Sequence, residues 1–328
     1  MARMFVYITH KAGVPDDAAF ELLSAAKQID SNAACTAIVT GRTAEVKAAG
    51  AALREFYPEV WTIAGEAMAY PNAELIRQAL VRILPPASII LLAHDHFGID
   101  LAPGLSIKLN SAFISDLMAI EGLGQQGRLH VVRQEFGGQL STHVQCDISA
   151  GAVLTIRPGA FKPLPSPPVN GDVVDKSSVI GTLAARRRYV ETIVPEAGDV
   201  DITKFNILVS IGRGIQEKDN IAIAQELADA LGAALSCSRP VVDAKWLEKS
   251  RQVGSSGKTV KPKVYLACGI SGAFQHLAGL KGSPFIIAIN KNPKAPIFQV
   301  ADIGVVADIL EFLPELTSRI REIRKLAA

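Results

Sequence analysis

No stretch of this 328-residue sequence approaches the ~20 consecutive apolar residues that span a bilayer. The longest, Ala87 to Ala93, has the length of a strand. An excess of charge is missing too. Lys and Arg number 34 against 32 Asp and Glu, a net +2, which gives no reason to expect nucleic acid or an anionic membrane as partner. The opening MARMFVYITH lacks the apolar core of a signal peptide and the Arg/Ser-rich run of a transit peptide. The expected location is therefore cytoplasmic in a bacterium, with the mitochondrial matrix reserved for a eukaryotic source. Cysteine is scarce: Cys35, Cys146, Cys237 and Cys268 share no metal-ligand spacing and read as small buried hydrophobes of a reducing compartment. What remains is 49% hydrophobic and 20% charged, a packed protein long enough for two cores.

The first ~95 residues alternate strand and helix patterns. Phe5 to Ile8 is apolar and β-branched, and Asp16-Asp17 open a helical stretch through Phe20, Leu22, Leu23 and Ala26. Thr36 to Val39 reads as strand, Ala44 to Phe56 as helix, Val60 to Ile63 as strand. Asn72 is placed to cap a helix running to Ile83, and Ser88 to Ala93 has the apolar continuity of a strand buried on both faces. Such alternation predicts a parallel sheet covered by helices. From Phe113 to Ile156 short β-branched runs with polar breaks predict an antiparallel addition. Prolines at 158, 163, 165, 167 and 168 then exclude a helix or an inner strand. Ser178 to Val194 alternates again like a strand, and an irregular stretch starts at Pro195. The boundary is accordingly set near 197, giving domains 1–197 and 198–328.

The second domain repeats the doubly wound logic. Strands are expected at FNILVSIG from Phe205, at Ala234 to Cys237, at VYLACG, at IIAIN and at GVVAD, with helices from Asn220 to Leu231 and from Ile309 to Leu326, the last bent at Pro314. Small and polar residues follow these strands: Gly212-Arg213-Gly214, Gly269-Ile270-Ser271-Gly272, Asn290-Lys291-Asn292 and Asp308. In an open parallel sheet ligands bind beyond the carboxyl ends of the strands. Glycines there let backbone approach a phosphate, and helix N-termini offer it free N–H groups. Four such turns in one domain point to a nucleotide-type ligand.

Gly254-Ser255-Ser256-Gly257-Lys258 has the ending of a phosphate loop, but Gln252 stands where the first Walker glycine belongs and no helix pattern follows. A P-loop NTPase is excluded. His94-x-His96 lacks a third metal ligand and reads as a solvated loop. Arg186-Arg187-Arg188 reads as a solvated strand end or a partner contact, and Asp201 and Asp219 as caps.

The run SRPVVDAKW…RQVGSSGKTVKPKVYLACGISGAFQHLAGL…FIIAINKNPKAPIFQVADIGVVADILEFLPEL, within Ser210 to Leu316, and HFGIDLAPGLSIKLNSAFISDLMAI from His96 resemble electron-transfer flavoprotein alpha subunits (the FixB-like family). The resemblance implies an α/β fold of two doubly wound parallel-sheet domains, the C-terminal one a Rossmann-like FAD-binding domain. It implies that Arg213 and Ser271, Gly272 and Ala273, with Phe274 beside them, lie around the pyrophosphate of FAD. Asn290, Asp308 and Ile309 fall on the adenosine and ribitol side. Ser238, Arg239, Val253, Gly254, Ser255, Ser256, Gln275 and His276 meet the isoalloxazine end. Arg239 as a fixed cation, Ser256 through its hydroxyl at flavin N5 and His276 at the N1/C2=O edge would tune the flavin for one-electron transfer. Family members commonly carry Gln-Thr-Gly at Ser255-Ser256-Gly257, so the hydroxyl persists while the contact from position 255 shortens.

The same resemblance implies an obligate heterodimer with a beta subunit holding AMP. Electrons would come from flavin dehydrogenases such as acyl-CoA dehydrogenases, as in fatty acid β-oxidation, and pass to a membrane quinone oxidoreductase. The alternative is an electron-bifurcating, NADH-oxidising pair with a second FAD in the beta subunit. Neither role makes this chain a stand-alone enzyme.

Overall fold

A computed structural model describes residues 3–124, 127–136, 140–163, 169–191, 200–282 and 284–327. The chain divides into two compact units, Met1–Glu191 and Thr192–Ala328. Pro165, Pro167 and Pro168, and residues 192–199 with the start of the irregular stretch at Pro195, lie outside the described residues.

The first unit runs β1 (Met4–Tyr7), a small hairpin of β2 (His10–Lys11) and β3 (Val14–Pro15), α1 (Ala18–Ile29), β4 (Cys35–Gly41), α2 (Thr43–Leu53), β5 (Glu59–Ala64), α3 (Ala73–Ile83) and β6 (Ile89–Ala93). It continues through α4 (His96–Leu109), β7 (Ala112–Leu123), β8 (Arg128–Glu135), β9 (Leu140–Asp147), β10 (Ala152–Ile156) and β11 (Asp172–Asp175). Nine strands form one sheet in the order β11-β5-β4-β1-β6-β10-β7-β8-β9. Pairing is parallel from β11 to β7, and β8 and β9 add antiparallel. The expected strand-helix alternation and antiparallel addition are both present.

Period-2 alternation explains why both faces are covered. Met4, Val6 and Ile8 point into a core with Leu22, Ala25 and Leu53, whereas Phe5 and Tyr7 point into a second core with Ile76, Leu80 and Leu101. Asn72 caps α3 by accepting from the Glu74 N–H at 2.9 Å.

Helix α4 has no clear sequence signature, because Gly98, Pro103 and Gly104 lie inside it. It forms because Asp95 caps its start, accepting from Gly98 N–H at 2.7 Å, and Asn110 ends it at φ 49°.

Three expectations are corrected. Ser178 to Val194 forms no strand among its described residues. Ser177–Thr182 is a 3-10 turn started by Asp175, whose Oδ1 accepts from the Ser177 amide and hydroxyl. The chain beyond it bonds to side chains of α3: Gln78 Nε2 donates to Ala184 O, and the Arg186 and Arg187 amides donate to Glu74. His94 does not sit in a solvated loop. It is half-buried, its Nδ1 2.9 Å from Thr155 Oγ1, while His96 is the first residue of α4. Cys146 is only half-buried; Cys35, Cys237 and Cys268 are fully so.

The second unit contains β12 (Ile207–Ile211), α5 (Ile221–Leu231), β13 (Ala234–Cys237), α6 (Arg239–Asp243), β14 (Val264–Cys268), α7 (Phe274–Leu277), β15 (Phe285–Ile289), β16 (Ile303–Val305) and α8 (Ile309–Ala327). Its sheet is parallel throughout, ordered β13-β12-β14-β15-β16. Again the two faces diverge. Val209 and Ile211 join a core with Leu227 and Leu313, and Leu208 joins another with Tyr265 and Ile297. Strand order reverses between β12 and β14. In open parallel sheets such a switch point, at the carboxyl ends of the strands, is where ligands bind.

Candidate functional site

Two turns meet at this switch point. After β12 the chain makes a 3-10 turn, Arg213–Ile215. After β14 it crosses Gly269 at φ 66° and Gly272 at φ 84°, values that only glycine adopts freely. The glycines serve chain-on-chain packing first. A Cβ on Gly214 would lie 2.6 Å from Gly269 Cα, and one on Gly272 2.6 Å from Ile297 Cα. Gly214 N–H donates to Gly269 O at 3.1 Å and locks the two turns together. Glycine here lets two turns of backbone meet, rather than leaving space for a ligand directly.

The packing sets up the binding surface. Among the described residues the backbone N–H groups of Ser271, Gly272 and Ala273 donate to no backbone carbonyl. They follow one another at the switch point, beside the turn carrying the exposed Arg213. Consecutive free amides with a guanidinium form an anion-binding surface.

Asn290 braces these turns. Its Nδ2 donates to Ile270 O at 2.9 Å, and its Oδ1 accepts from Asn292 N–H at 2.9 Å. Asp308 accepts from Leu310 N–H at 2.9 Å and caps α8. Each keeps one polar position for another partner. Ile309 and Val253 are 3% and 1% exposed, so either would meet a ligand only through backbone.

The segment from Gln252 to Lys258 folds over the end of β13 and the turn around α7. Val253 N–H donates to Cys237 O at 2.9 Å, and Ser255 N–H to Gln275 O at 2.7 Å. Gly254 is required by that approach, since a Cβ there would stand 2.9 Å from Gln275 O. These bonds bring Ser238, Val253 to Ser256, Gln275 and His276 together, although 38 positions separate the first from the last in sequence. Ser255, Ser256 and Gln275 are exposed, and Ser238 is buried. The Ser256 hydroxyl accepts from Gln252 Nε2 at 2.9 Å, which leaves its own proton to donate elsewhere.

Arg239 and His276, both assigned to the ring end, sit in contrasting surroundings. Arg239 is 68% exposed at its side chain and pairs with Asp243 at 3.3 Å, so its charge is shared within one helical turn. His276 is 6% exposed. Its Nε2 lies 2.7 Å from the Tyr265 hydroxyl, and Nδ1 is buried with no hydrogen bond of ordinary geometry. Burial lowers its pKa to about 4, the Val253 backbone acting weakly the other way. A pKa so far below the ordinary value corresponds to a neutral imidazole at physiological pH.

Sequence reasoning missed Tyr265 and Gln252. Tyr265 sits in the apolar run VYLAC, and Gln252 was noticed only as a missing glycine. No pattern signals a buried residue whose partner lies 11 positions away across a turn. Among the described residues no group of three or more His, Cys, Asp or Glu side chains could hold a metal, and no helix is long and apolar enough to cross a membrane.

The electron transfer flavoprotein domain family matches residues 4–190, and the electron transfer flavoprotein FAD-binding domain family matches residues 201–281. The sequence is 43% identical over 237 residues to the electron transfer flavoprotein subunit alpha of Methylophilus methylotrophus, covering 71% of this chain and 72% of that one. It is 38% identical over 235 residues to Protein FixB of Clostridium saccharobutylicum, covering 72% and 70%. A probable mitochondrial electron transfer flavoprotein subunit alpha of Cryptococcus neoformans var. neoformans is 34% identical over 328 residues, or 97% of this chain and 92% of its own.

Proposed function

Since the chain belongs to the electron transfer flavoprotein alpha-subunit family and carries its FAD-binding domain, we propose that it is the FAD-holding half of a heterodimer with a beta subunit. The pair takes electrons from flavin dehydrogenases, of which acyl-CoA dehydrogenases are the expected kind, and delivers them to a membrane quinone oxidoreductase. Residues 1–197 serve as the partner-contacting part. The observation that carries this reading is the row of free N–H groups at Ser271, Gly272 and Ala273, beside Arg213 at the switch point. A diphosphate fits that donor set, because each amide and the guanidinium donate and none has to be neutralised first.

FAD, when bound, supplies one-electron chemistry that no side chain here can provide. The remaining work belongs to the chain. Arg213 and the amide row hold the diphosphate. Asn290 and Asp308 offer their spare polar positions to hydroxyl groups. Ser256, with its oxygen engaged by Gln252, donates its proton to an acceptor on the redox-active ring. Arg239 adds positive charge at that end, and His276 a neutral hydrogen-bonding edge.

Co-purification with the beta subunit and a count of flavins provides the test. One FAD with AMP in the pair is the expected result. A colourless heterodimer overturns the assignment, and two FAD with NADH oxidation would select the bifurcating alternative.

A further inference from the structure

We propose that Tyr265 is a positioning residue whose buried hydroxyl donates to His276 Nε2 and fixes that imidazole as its Nδ1–H tautomer. The proposal rests on the flavin-site reading for its purpose but not for its geometry.

Tyr265 lies on β14 and is 0% exposed; His276, in α7, is 6% exposed. With both side chains shielded, water does not compete for the bond between them. At 2.7 Å that bond has the usual length of one from an O–H donor and lies at the short end of the N–H···O range. Burial also drives the phenol far above its ordinary pKa, so Tyr265 keeps its proton and must place it somewhere. The Ser210 hydroxyl, wholly buried on the neighbouring strand β12, makes no hydrogen bond of ordinary geometry, and the partner of the phenol is His276 Nε2. Were the phenol to accept instead, its own proton and the Nδ1 lone pair would both be buried without a partner. A nitrogen that accepts carries no proton, so the proton of the neutral ring sits on Nδ1.

The other edge agrees. The Val253 backbone acts on the ring in favour of its charged form, the direction expected beside a ring N–H rather than a ring lone pair, although Nδ1 makes no hydrogen bond of ordinary geometry. The bond from Tyr265 on β14 to His276 in α7 therefore leaves the imidazole one nitrogen, Nδ1, from which to donate.

The test is a ring-nitrogen NMR spectrum of the full chain labelled with 15N-histidine. The His276 signals are identified by their loss in His276→Gln, and FAD is titrated into the same samples. The expected spectrum has a protonated Nδ1 and an unprotonated, acceptor-type Nε2. In Tyr265→Phe the tautomer is expected to become mixed or reversed, and the FAD dissociation constant to rise about fivefold, the worth of one hydrogen bond. A protonated Nε2 in the unsubstituted chain overturns the proposal, whether or not Tyr265→Phe folds. So does an unchanged tautomer in a folded Tyr265→Phe. Correct tautomers without FAD uptake would instead sink the flavin-site reading and leave this one standing.

Discussion

The switch point between β1 and β6 in the first unit and that between β12 and β14 in the second obey the same topological rule, yet their chemistry is opposite. At the first, the crevice has closed to about 10 Å³ between Tyr7, Asp16, Leu92, Asp95 and Phe97, room for hardly more than one water. The N-terminus of α4, which could face an anion, is already taken by Asp95 through Gly98 N–H. Burial and the neighbouring Asp16 raise the Asp95 pKa, a mark of unfavourable negative charge. At the second, consecutive amides donate to no backbone carbonyl among the described residues, and an exposed arginine stands beside them. Topology provides a place for a ligand. Which groups end the strands decides whether one is taken.

The largest expected effect that sharpens this contrast comes from Gly272→Val. Its φ of 84° and the 2.6 Å approach of an added Cβ to Ile297 Cα should cost the second unit roughly 3 kcal/mol or more. The two tryptophans report the units separately. Trp61 is buried in the first and Trp246 half-buried in the second, so denaturation of Trp61→Phe and Trp246→Phe backgrounds shows where the loss falls. Equal losses at both probes would break the comparison.

Acid should act next. The folded pKa of His276, about 4 against the ordinary 6.5, means that the unfolded chain takes up a proton first as pH falls. Its contribution is full above pH 6.5 and is lost on the way down to 4, worth about 3 kcal/mol in the second unit. His276→Gln should flatten that slope of stability against pH at the Trp246 probe; an undiminished slope would assign it to other groups.

Arg213→Ala should weaken FAD binding ten- to a hundredfold, the scale of one charge-assisted hydrogen bond at about 1.5–3 kcal/mol, measured by flavin fluorescence. Unchanged affinity would remove Arg213 from the site. The smallest effect is expected from Asp95→Asn. A carboxyl with raised pKa disfavours the fold once ionised and is harmless when protonated. The variant should therefore melt slightly higher at pH 7 and equally at acidic pH, and take up no nucleotide. Nucleotide binding by it would show that charge, not space, shuts the first crevice.

The strands, most helices and the doubly wound class were legible because burial on both sheet faces demands continuous apolar runs such as SIILLA and VYLAC, and because Asn72 is a cap by residue type. Helix α4 was not, since Gly98, Pro103 and Gly104 argue locally against a helix that Asp95, Asn110 and core packing of Leu101 and Leu105 impose. The apparent strand from Ser178 was illegible for the opposite reason: alternation was present, but side chains of α3 bind that backbone before a neighbouring strand can. Within the site, Gly212, Arg213, Ser271 and Gly272 announced themselves by following strands.

The sequence alone thus determined the two largely parallel sheets, the family and the glycine-bearing turns that follow the strands, all of which follow from local pattern and from residue identity in register. Tertiary structure decided the rest. It buried His276 2.7 Å from the Tyr265 hydroxyl, paired Arg239 with Asp243, set Gln252 against the Ser256 hydroxyl and left little space at the first switch point. Each depends on burial or on a partner brought close across a turn, and desolvation and hydrogen-bond direction are properties of a place in the fold, not of a residue in a string.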